Sequence, residues 1–256
     1  MARVRTLVLR GPGTNCDGET AFAFQQAGAE VASVHVNRLI SREQHLADYQ
    51  ILVIPGGFTY GDDIAAGKVL ANELALNLGD DIRRFVEDGG LILGICNGFQ
   101  VMVKAGILPE PGDNRPSRIT LTANDSGRFE CRWVHLGVNR ESPCVFTRGI
   151  ERMYLPVAHG EGKFVADGDV LPALNVAVYY TDENGNRAVG YPDNPNGSVE
   201  GIAGICDSSG RVFALMPHPE RYIRGTQHPQ WTRIGAKKYG DGLQVFVNAV
   251  SWARGL

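Results

Sequence analysis

The segment Leu91-Ile92-Leu93-Gly94-Ile95-Cys96-Asn97-Gly98 is an apolar run that leads into a cysteine between two glycines. The apolar run predicts a buried strand, and the residues from Phe99 to Ala105 predict a helix directly after it. This pattern is typical of the G-x-nucleophile-x-G elbow of α/β enzymes, with cysteine in the place of serine. Such an elbow holds its nucleophile at the carboxyl end of a strand, where open α/β sheets bind ligands. The alternative is a structural cysteine beside two ordinary turn glycines.

The residues before this segment alternate between apolar runs and helix-like stretches. Strands are predicted over Val4 to Leu9, Val31 to Val36 and Ile51 to Ile54. Helices are predicted over about Asp17 to Ala27, with Asp17 as its cap, and over roughly Ile82 to Glu87. Strands that are apolar on both faces and separated by helices indicate a parallel sheet covered on both sides.

The middle of the chain, from Arg118 to Val212, has short β-like segments joined by polar, glycine-rich turns. Antiparallel strands are therefore predicted over Ile119 to Leu121, Trp133 to Leu136, Val176 to Tyr180 and Gly201 to Ile205. A final amphipathic helix is predicted over about Leu243 to Ala253. The sequence shows no linker or repeat, so we expect residues 1–256 to form one α/β domain. Its mainly parallel central sheet is flanked by helices and extended by antiparallel strands.

Composition excludes several classes of protein. The 256 residues carry a formal net charge of -3, which argues against a general nucleic-acid binder. No apolar stretch approaches the roughly 18 residues of a membrane span. The five cysteines are odd in number and show no C-x-x-C spacing, so a disulfide framework or a zinc ribbon is not expected. The run Leu7-Val8-Leu9 is too short for the apolar part of a signal peptide, and we expect a cytoplasmic protein.

A cysteine nucleophile needs a base, and the candidate is His218 in Met216-Pro217-His218-Pro219-Glu220. This segment follows another apolar strand, Val212 to Leu215, and its two prolines restrict the backbone around the histidine. Glu220 lies two residues further on, where it could orient the imidazole and stabilise its cation. The alternative is a surface turn with an incidental histidine and glutamate.

Acyl transfer also needs hydrogen-bond donors for the oxyanion that forms. The backbone N–H of Asn97, directly after Cys96, is one candidate donor. The turn Gly56-Gly57-Phe58 after the third strand is a second, because glycine lets the backbone approach a substrate closely. A simple strand-to-loop turn explains these glycines equally well.

Three motifs occur in an order that resembles the class I, or triad, glutamine amidotransferases: Pro-Gly-Gly, Gly-Ile-Cys-Asn-Gly-Phe-Gln and His-Pro-Glu. More narrowly, the chain resembles the family of glutaminase subunits of phosphoribosylformylglycinamidine synthase, which acts in purine biosynthesis. The narrower resemblance depends on these segments: Gly11 to Asp17, Pro55 to Asp62, Asn124 to Arg132, His159 to Gly162, and Met216 to Arg221. They span nearly the whole chain.

The resemblance implies a flavodoxin-like core and a reaction. Cys96 attacks the side-chain amide of glutamine, His218 transfers protons, and Glu220 holds His218 in place. A γ-glutamyl thioester forms, ammonia leaves, and water releases glutamate. Gln100 matches a position that helps to hold the glutamine, beside the candidate contacts Gly56, Gly57, Phe58 and Asn97.

The resemblance also implies partners. Ammonia passes to a separate synthetase subunit, which uses ATP to make formylglycinamidine ribonucleotide, and a small accessory subunit is expected in the complex. ATP and Mg²⁺ are expected on the synthetase. We expect no cofactor, metal or nucleotide site on this chain, since Gly160-Glu161-Gly162-Lys163 lacks the phosphate-loop pattern.

Other functions remain open from the residues alone. The chain could be another cysteine hydrolase of similar topology, such as a peptidase or a γ-glutamyl hydrolase. It could also be a non-catalytic assembly protein within a complex, although the intact Cys-His-Glu set argues against that interpretation.

Several other polar residues are interpreted as follows. Cys16 is interpreted as a semi-buried bystander, and Cys131, Cys144 and Cys206 as core thiols. His159 and Glu161 either border the active site or partner interface or belong to an ordinary hairpin. Asp62-Asp63 is interpreted as a helix cap in preference to a charged loop over the pocket. The basic residues near the end are interpreted as a solvated face: Arg221, Arg224, Arg233, Lys237 and Lys238.

Overall fold

The computed structural model describes residues 3–111 and 118–255. The strands in these residues are β1 (Arg5–Arg10), β2 (Glu30–His35), β3 (Ile51–Ile54), β4 (Leu91–Ile95), β5 (Ile119–Thr122), β6 (Glu130–Val138), β7 (Arg152–His159), β8 (Lys163–Ala166), β9 (Asn175–Thr181), β10 (Ile202–Cys206) and β11 (Val212–Leu215). The α-helices are α1 (Asp17–Gln26), α2 (Val36–Ile40), α3 (Lys68–Glu87), α4 (Asn97–Lys104), α5 (Trp231–Ile234) and α6 (Leu243–Ala253).

One large mixed sheet contains nine of these strands, in the order β2-β1-β3-β4-β11-β10-β9-β6-β7. From β2 to β11 all neighbours are parallel, and from β11 to β7 all are antiparallel. Every residue of β3 and β4 is buried, as a sheet covered on both faces requires. The predicted α/β class, with a parallel core and antiparallel additions, is confirmed. Strands β5 and β8 form a separate two-stranded sheet.

The direction in which strands are added reverses between β1 and β3. The chain runs from β1 out to β2 and returns to the other side through β3 and β4. Right-handed crossovers in opposite directions place their helices on opposite faces of the sheet. Accordingly α1 packs on α6, with the Phe24 and Phe246 rings 4.9 Å apart, whereas α3 packs on α4. Open α/β sheets bind ligands at the carboxyl ends of strands beside such a reversal.

Several elements differ from the sequence-based prediction. Helix α3 begins at Lys68, well before the predicted start near Ile82, and α2, β7 and β8 were not predicted at all. Helix α1 is capped at Cys16 and not at Asp17, whose carboxylate instead pairs with Arg10 Nε at 2.7 Å. The final helix has the predicted bounds. Across the described ranges, no helix has the length and apolar composition needed to cross a bilayer.

Candidate active site

Cys96 lies at the sharp turn between β4 and α4. Its backbone has φ +52° and ψ −106°, a strained conformation for a residue with a side chain. A Cβ at Gly98 would overlap the carbonyl oxygen of Ile54, and one at Gly94 would overlap Met102 Sδ. Both glycines are therefore required by the packing around the turn. The Cys96 side chain is almost fully buried, and its sulfur lies 3.7 Å from the carbonyl oxygen of Ala158.

His218 and Glu220 follow β11, the strand that pairs in parallel with β4. The register aligns Leu215 with Ile95, so both strands end at the same edge of the sheet. His218 Nδ1 lies 2.6 Å from Glu220 Oε1, and both side chains are buried. The backbone N–H of His218 donates to the carbonyl of Pro156 at 2.8 Å, which fixes the turn.

The pKa of His218 reflects opposing influences. Burial by itself lowers this pKa, but the charge of Glu220 and the nearby Cys96 sulfur outweigh burial and raise it well above its ordinary value. The imidazolium form is therefore stabilised at the place where a thiolate would need a counter-ion. The structure thus brings Cys96, His218 and Glu220 to one edge of the sheet, and the chemical role of each stays a prediction.

The loop after β3 contacts the same histidine. A Cβ at Gly56 would lie 2.9 Å from His218 Cε1, so only glycine fits there. Gly57 has φ +152° and packs against the backbone of the loop after β1. The N–H of Phe58 donates to the carbonyl of Gly13 at 3.0 Å, so it is already used within the protein. Within this turn, the amides of Gly56 and Gly57 therefore remain candidate donors to the oxyanion, and the amide of Phe58 does not.

Asn97 and Gln100 lie on the first turns of α4, and their side chains are bonded to each other. Asn97 Nδ2 donates to Gln100 Oε1 at 2.9 Å, and Asn97 Oδ1 accepts from the hydroxyl of Thr59 at 2.7 Å. Gln100 Nε2 donates to the backbone carbonyl of Glu161 at 2.6 Å. The two amides therefore form a rigid wall between the nucleophile turn and the turn at residues 160–162 after β7.

Asp62 combines the two roles considered for it. Its Oδ1 accepts from the N–H of Gly67, the residue before α3, at 3.1 Å, and from Asn97 Nδ2 at 3.3 Å. Burial raises the pKa of Asp62, and the charge of Glu161 adds to the increase. This carboxylate therefore supports the start of α3 and also closes the loop over the site.

The segment His159–Gly162 lies beside residues of the predicted site, since Gln100 bonds to the carbonyl of Glu161. His159 Nδ1 lies 3.2 Å from Asn124 Oδ1. Glu161 Oε2 accepts from the N–H of Ala66 at 3.2 Å. Burial, followed by the charge of His218, lowers the pKa of His159 to about 3. His159 is therefore neutral where it lies beside the site.

Cys16 was interpreted as a semi-buried bystander, and this interpretation was wrong about its burial and its position. Cys16 is fully buried, and its sulfur accepts from Arg221 Nη2 at 3.0 Å beside His218. Arg221 likewise does not belong to a solvated face, because its Nε donates to Glu19 Oε1 at 2.7 Å. The signal for Cys16 was its motif, Gly11 to Asp17, whose residue types by themselves indicate no particular chemistry.

The other cysteines divide into two groups. Cys144 and Cys206 are buried, as predicted for core thiols. Cys131 is exposed, which corrects the prediction, because its side chain points away from the core on β6. All five cysteines are free thiols.

Comparisons with known proteins show the family of this chain. Residues 3–253 match the model of the CobB/CobQ-like glutamine amidotransferase domain. The phosphoribosylformylglycinamidine synthase subunit PurQ of Dehalococcoides mccartyi is 60% identical over 254 residues, which cover 99% of each chain. The protein of the same name from Methanococcus maripaludis strain S2 is 47% identical over 264 residues, 97% of each chain.

Solved structures extend the likeness. A chain in the structure of PurLQS from Thermotoga maritima is 34% identical and superposes with a TM-score of 0.75, covering 98% of this chain and 99% of that one. A glutamine amidotransferase from Thermotoga maritima, at 15% identity and a TM-score of 0.56, covers 98% of this chain and 97% of that one and shares the fold alone. The chain therefore belongs to the CobB/CobQ-like glutamine amidotransferase family and, within it, to the group of PurQ subunits of phosphoribosylformylglycinamidine synthase.

Proposed function

We propose that this chain hydrolyses glutamine to glutamate and ammonia, with Cys96 as nucleophile, His218 as proton carrier and Glu220 as the group that orients His218. One observation carries the proposal. The strained turn after β4 presents Cys96 at the same sheet edge where β11 presents a buried His218–Glu220 pair. A thiol, a base and an orienting carboxylate are the parts that acyl transfer through cysteine requires.

The steps follow from the chemistry of these groups. The Cys96 thiolate adds to the side-chain carbonyl carbon of glutamine, and the carbonyl electrons move onto its oxygen. His218 then gives its Nε2 proton to the amide nitrogen, which leaves as ammonia while the thioester forms. Water next gives a proton back to His218 and attacks the thioester, which yields glutamate and restores the Cys96 thiolate beside the imidazolium.

The substrate contacts form a second part of the proposal. The amides of Gly56, Gly57 and Asn97 surround the place where the oxyanion develops, and losing one such donor typically costs about 3 kcal/mol of activation free energy. Gln100, held by Asn97 and by the backbone carbonyl of Glu161, would position the glutamine. Phe58 would contribute its ring, which is 47% exposed and stacks on the ring of Phe129.

We infer that the ammonia goes to the ATP-dependent synthetase subunit that makes formylglycinamidine ribonucleotide, in a complex that also holds a small accessory subunit. Support comes from the relatives named as subunits of phosphoribosylformylglycinamidine synthase and from the likeness to the PurLQS structure. ATP and Mg²⁺ would bind the synthetase, with no cofactor on this chain.

The domain organisation and compartment belong to the same proposal. Residues 1–256 would act as one glutaminase domain, since strands from both halves of the chain alternate within one sheet. The cytoplasm is the proposed compartment, in agreement with five free thiols. Neither nucleic acid nor a membrane is a proposed partner.

The test combines the full chain with its synthetase, ATP and formylglycinamide ribonucleotide. Glutamate release and amidine formation are measured for the native chain, for Cys96→Ala and for Cys131→Ala, the exposed-thiol control. We expect Cys96→Ala to lose about 10³-fold or more of the hydrolysis rate and Cys131→Ala to keep it. Full glutaminase activity in Cys96→Ala would overturn the mechanism.

Two further measurements separate the rival functions. A glutamine-mimicking electrophile should label Cys96 in the complex, and an unlabelled Cys96 would favour a non-catalytic assembly protein. Cleavage of peptides or of γ-glutamyl peptides, in place of free glutamine, would identify a peptidase or a γ-glutamyl hydrolase.

A further inference from the structure

Cys16, His218 and Glu220 form a compact buried group that the proposed hydrolysis does not fully use. Their sulfur, ring nitrogen and carboxylate oxygen all lie within 4.8 Å of one another. Cys16 comes from the loop after β1, whereas the other two follow β11, so the fold alone brings them together. Thiolate, imidazole and carboxylate are the three donor types of protein zinc sites.

The packing around Gly56 brings Cys16 and one edge of the His218 ring together. A Cβ at Gly56 would lie 2.9 Å from His218 Cε1, 3.5 Å from His218 Nδ1 and 3.1 Å from Cys16 Sγ. The sulfur and the Cε1–Nδ1 edge of the ring therefore both lie beside Gly56. Glu220 contacts this same edge through Nδ1. Nδ1 is therefore the nitrogen that a metal held by Glu220 and Cys16 would use, and Nε2 remains for Cys96.

The surroundings suit a divalent cation. Arg221 Nη2 donates to Cys16 Sγ at 3.0 Å, and such N–H groups orient the thiolates that bind metals. Glu19 pairs with this arginine at 2.7 Å. Burial raises the pKa of the Cys16 thiol, so a metal must displace its proton. With that proton displaced, Cys16, Glu19 and Glu220 carry three negative charges against one positive charge on Arg221, which leaves two to balance a divalent ion. Glu220 Oε2 is buried and has no hydrogen-bond partner among the described residues, so it is free to face a metal.

We propose that a thiophilic divalent cation such as Zn²⁺ binds between Cys16, His218 Nδ1 and Glu220, and that it switches off glutamine hydrolysis. The metal takes the places of the thiol proton of Cys16 and the proton on Nδ1. The neutral imidazole then carries its single proton on Nε2. In the proposed hydrolysis the imidazolium gives its Nε2 proton to the leaving amide nitrogen. A neutral, metal-bound imidazole is a much weaker acid at Nε2, so the bound metal blocks this proton transfer.

The site needs only a small adjustment. Zinc bonds to nitrogen and oxygen of about 2.0–2.1 Å put two tetrahedral ligand atoms about 3.3 Å apart. The present separation of Nδ1 and Oε1 is 2.6 Å, so this pair must open by roughly 0.7 Å. Binding of the metal stands independently of the proposed function, whereas inhibition depends on it.

The binding test uses the full-length Cys96→Ala variant, which removes the nearby thiol that would bind zinc trivially. It is titrated with Zn²⁺ against a chromophoric chelator under reducing conditions, and with Co²⁺ to detect thiolate-to-metal charge-transfer absorption. We expect one equivalent of metal in Cys96→Ala. Adding Cys16→Ser should weaken binding by more than about tenfold and remove the charge-transfer band. Adding Cys131→Ser, at the exposed cysteine, should change neither.

Two results would contradict the proposed metal site. No metal binding by Cys96→Ala, or equal affinity and an equal Co²⁺ spectrum after Cys16→Ser, would overturn the site. Thermal unfolding of each variant checks that it is folded, and His218→Ala provides a second ligand deletion that should also lose the metal.

The inhibition test uses the native chain with its synthetase, with each variant compared to its own metal-free rate. Zn²⁺ should inhibit glutamate release reversibly with a chelator, and Cys16→Ser should need more than about tenfold more Zn²⁺ for the same inhibition. Equal sensitivity of the two proteins would overturn the switch. A native complex that hydrolyses no glutamine in the absence of metal would instead overturn the proposed function.

Discussion

Replacing Glu220 with glutamine removes a buried charge but nearly keeps the shape of the side chain. In the native chain this carboxylate lies 2.6 Å from His218 Nδ1, and both side chains are essentially inaccessible to solvent. The variant can still accept the Nδ1–H hydrogen bond through its amide oxygen. Its effects therefore report on the charge more than on the geometry.

The size of the effect follows from the electrostatics. Two unit charges about 4 Å apart interact by about 4 kcal/mol at an effective dielectric constant near 20. Removing one partner of a buried pair typically destabilises a protein by about 3–5 kcal/mol, in agreement with this electrostatic interaction energy. We therefore expect Glu220→Gln to lower the free energy of unfolding by about 3–4 kcal/mol under conditions where His218 is protonated. Glutaminase activity should fall by about 10²–10⁴-fold.

The sign of the pH dependence can be worked out. Burial lowers the pKa of His218, but Glu220 and Cys96 raise it above its ordinary value in the native chain. This contribution to stability is therefore fully present below the unfolded-state pKa of about 6.5, and it is lost as the pH rises through the raised native pKa. In Glu220→Gln burial remains without the counter-charge, so stability should fall as the pH drops below about 6.5.

Urea unfolding of the native chain and of Glu220→Gln, at about pH 5.5 and at about pH 9, checks this reasoning. The difference in the free energy of unfolding should be larger at the acid pH. A difference independent of pH, or a variant with native glutaminase activity, would refute the proposed charge interaction.

Four further predictions concern Gly98, Gly79, His159 and the synthetase partner. Gly98→Ala should destabilise the chain by about 1–3 kcal/mol in urea unfolding, because the added methyl group overlaps the carbonyl of Ile54. Gly79→Ala in α3 should instead stabilise it by about 0.5–1 kcal/mol, because within the described ranges nothing beyond the adjacent turns of α3 lies within 4 Å of the added group. His159 should stay neutral down to about pH 3, visible as constant imidazole NMR shifts between about pH 5 and 8. Without its synthetase the chain should release glutamate slowly, and equal turnover with and without the partner would contradict this expectation.

The parallel core was predictable because its strands carry continuous apolar runs. Strand β3 has the predicted bounds. Strand β4 extends the predicted apolar run, Leu91 to Leu93, by two residues. Helix α3 was shortened in the prediction because its first half mixes asparagine and glutamate with apolar residues. The buried Leu70, Leu74 and Leu78 do recur at a helical spacing of four. Strand β7 alternates buried and partly exposed residues, but Pro156 within it weakened the signal.

The candidate site was predictable only where a local motif carried it. Cys96, His218 and Glu220 each belong to a short pattern with a chemical meaning, so the sequence named them. Cys16 has no such pattern. Its contact with Arg221 joins residues 205 positions apart and depends on how the loop after β1 docks on the loop after β3. Contacts of that kind follow from tertiary packing and leave no local signal.

The central place of β11 in the sheet has a consequence for how the molecule is made. This strand separates β4 from β10, yet of the strands described here it is the last to be synthesised. Until residues 212–215 have been synthesised, β4 and β10 each present an unpaired edge, and such edges invite aggregation. A nascent chain must therefore keep two incomplete half-sheets apart, and one late segment both joins them and delivers the imidazole.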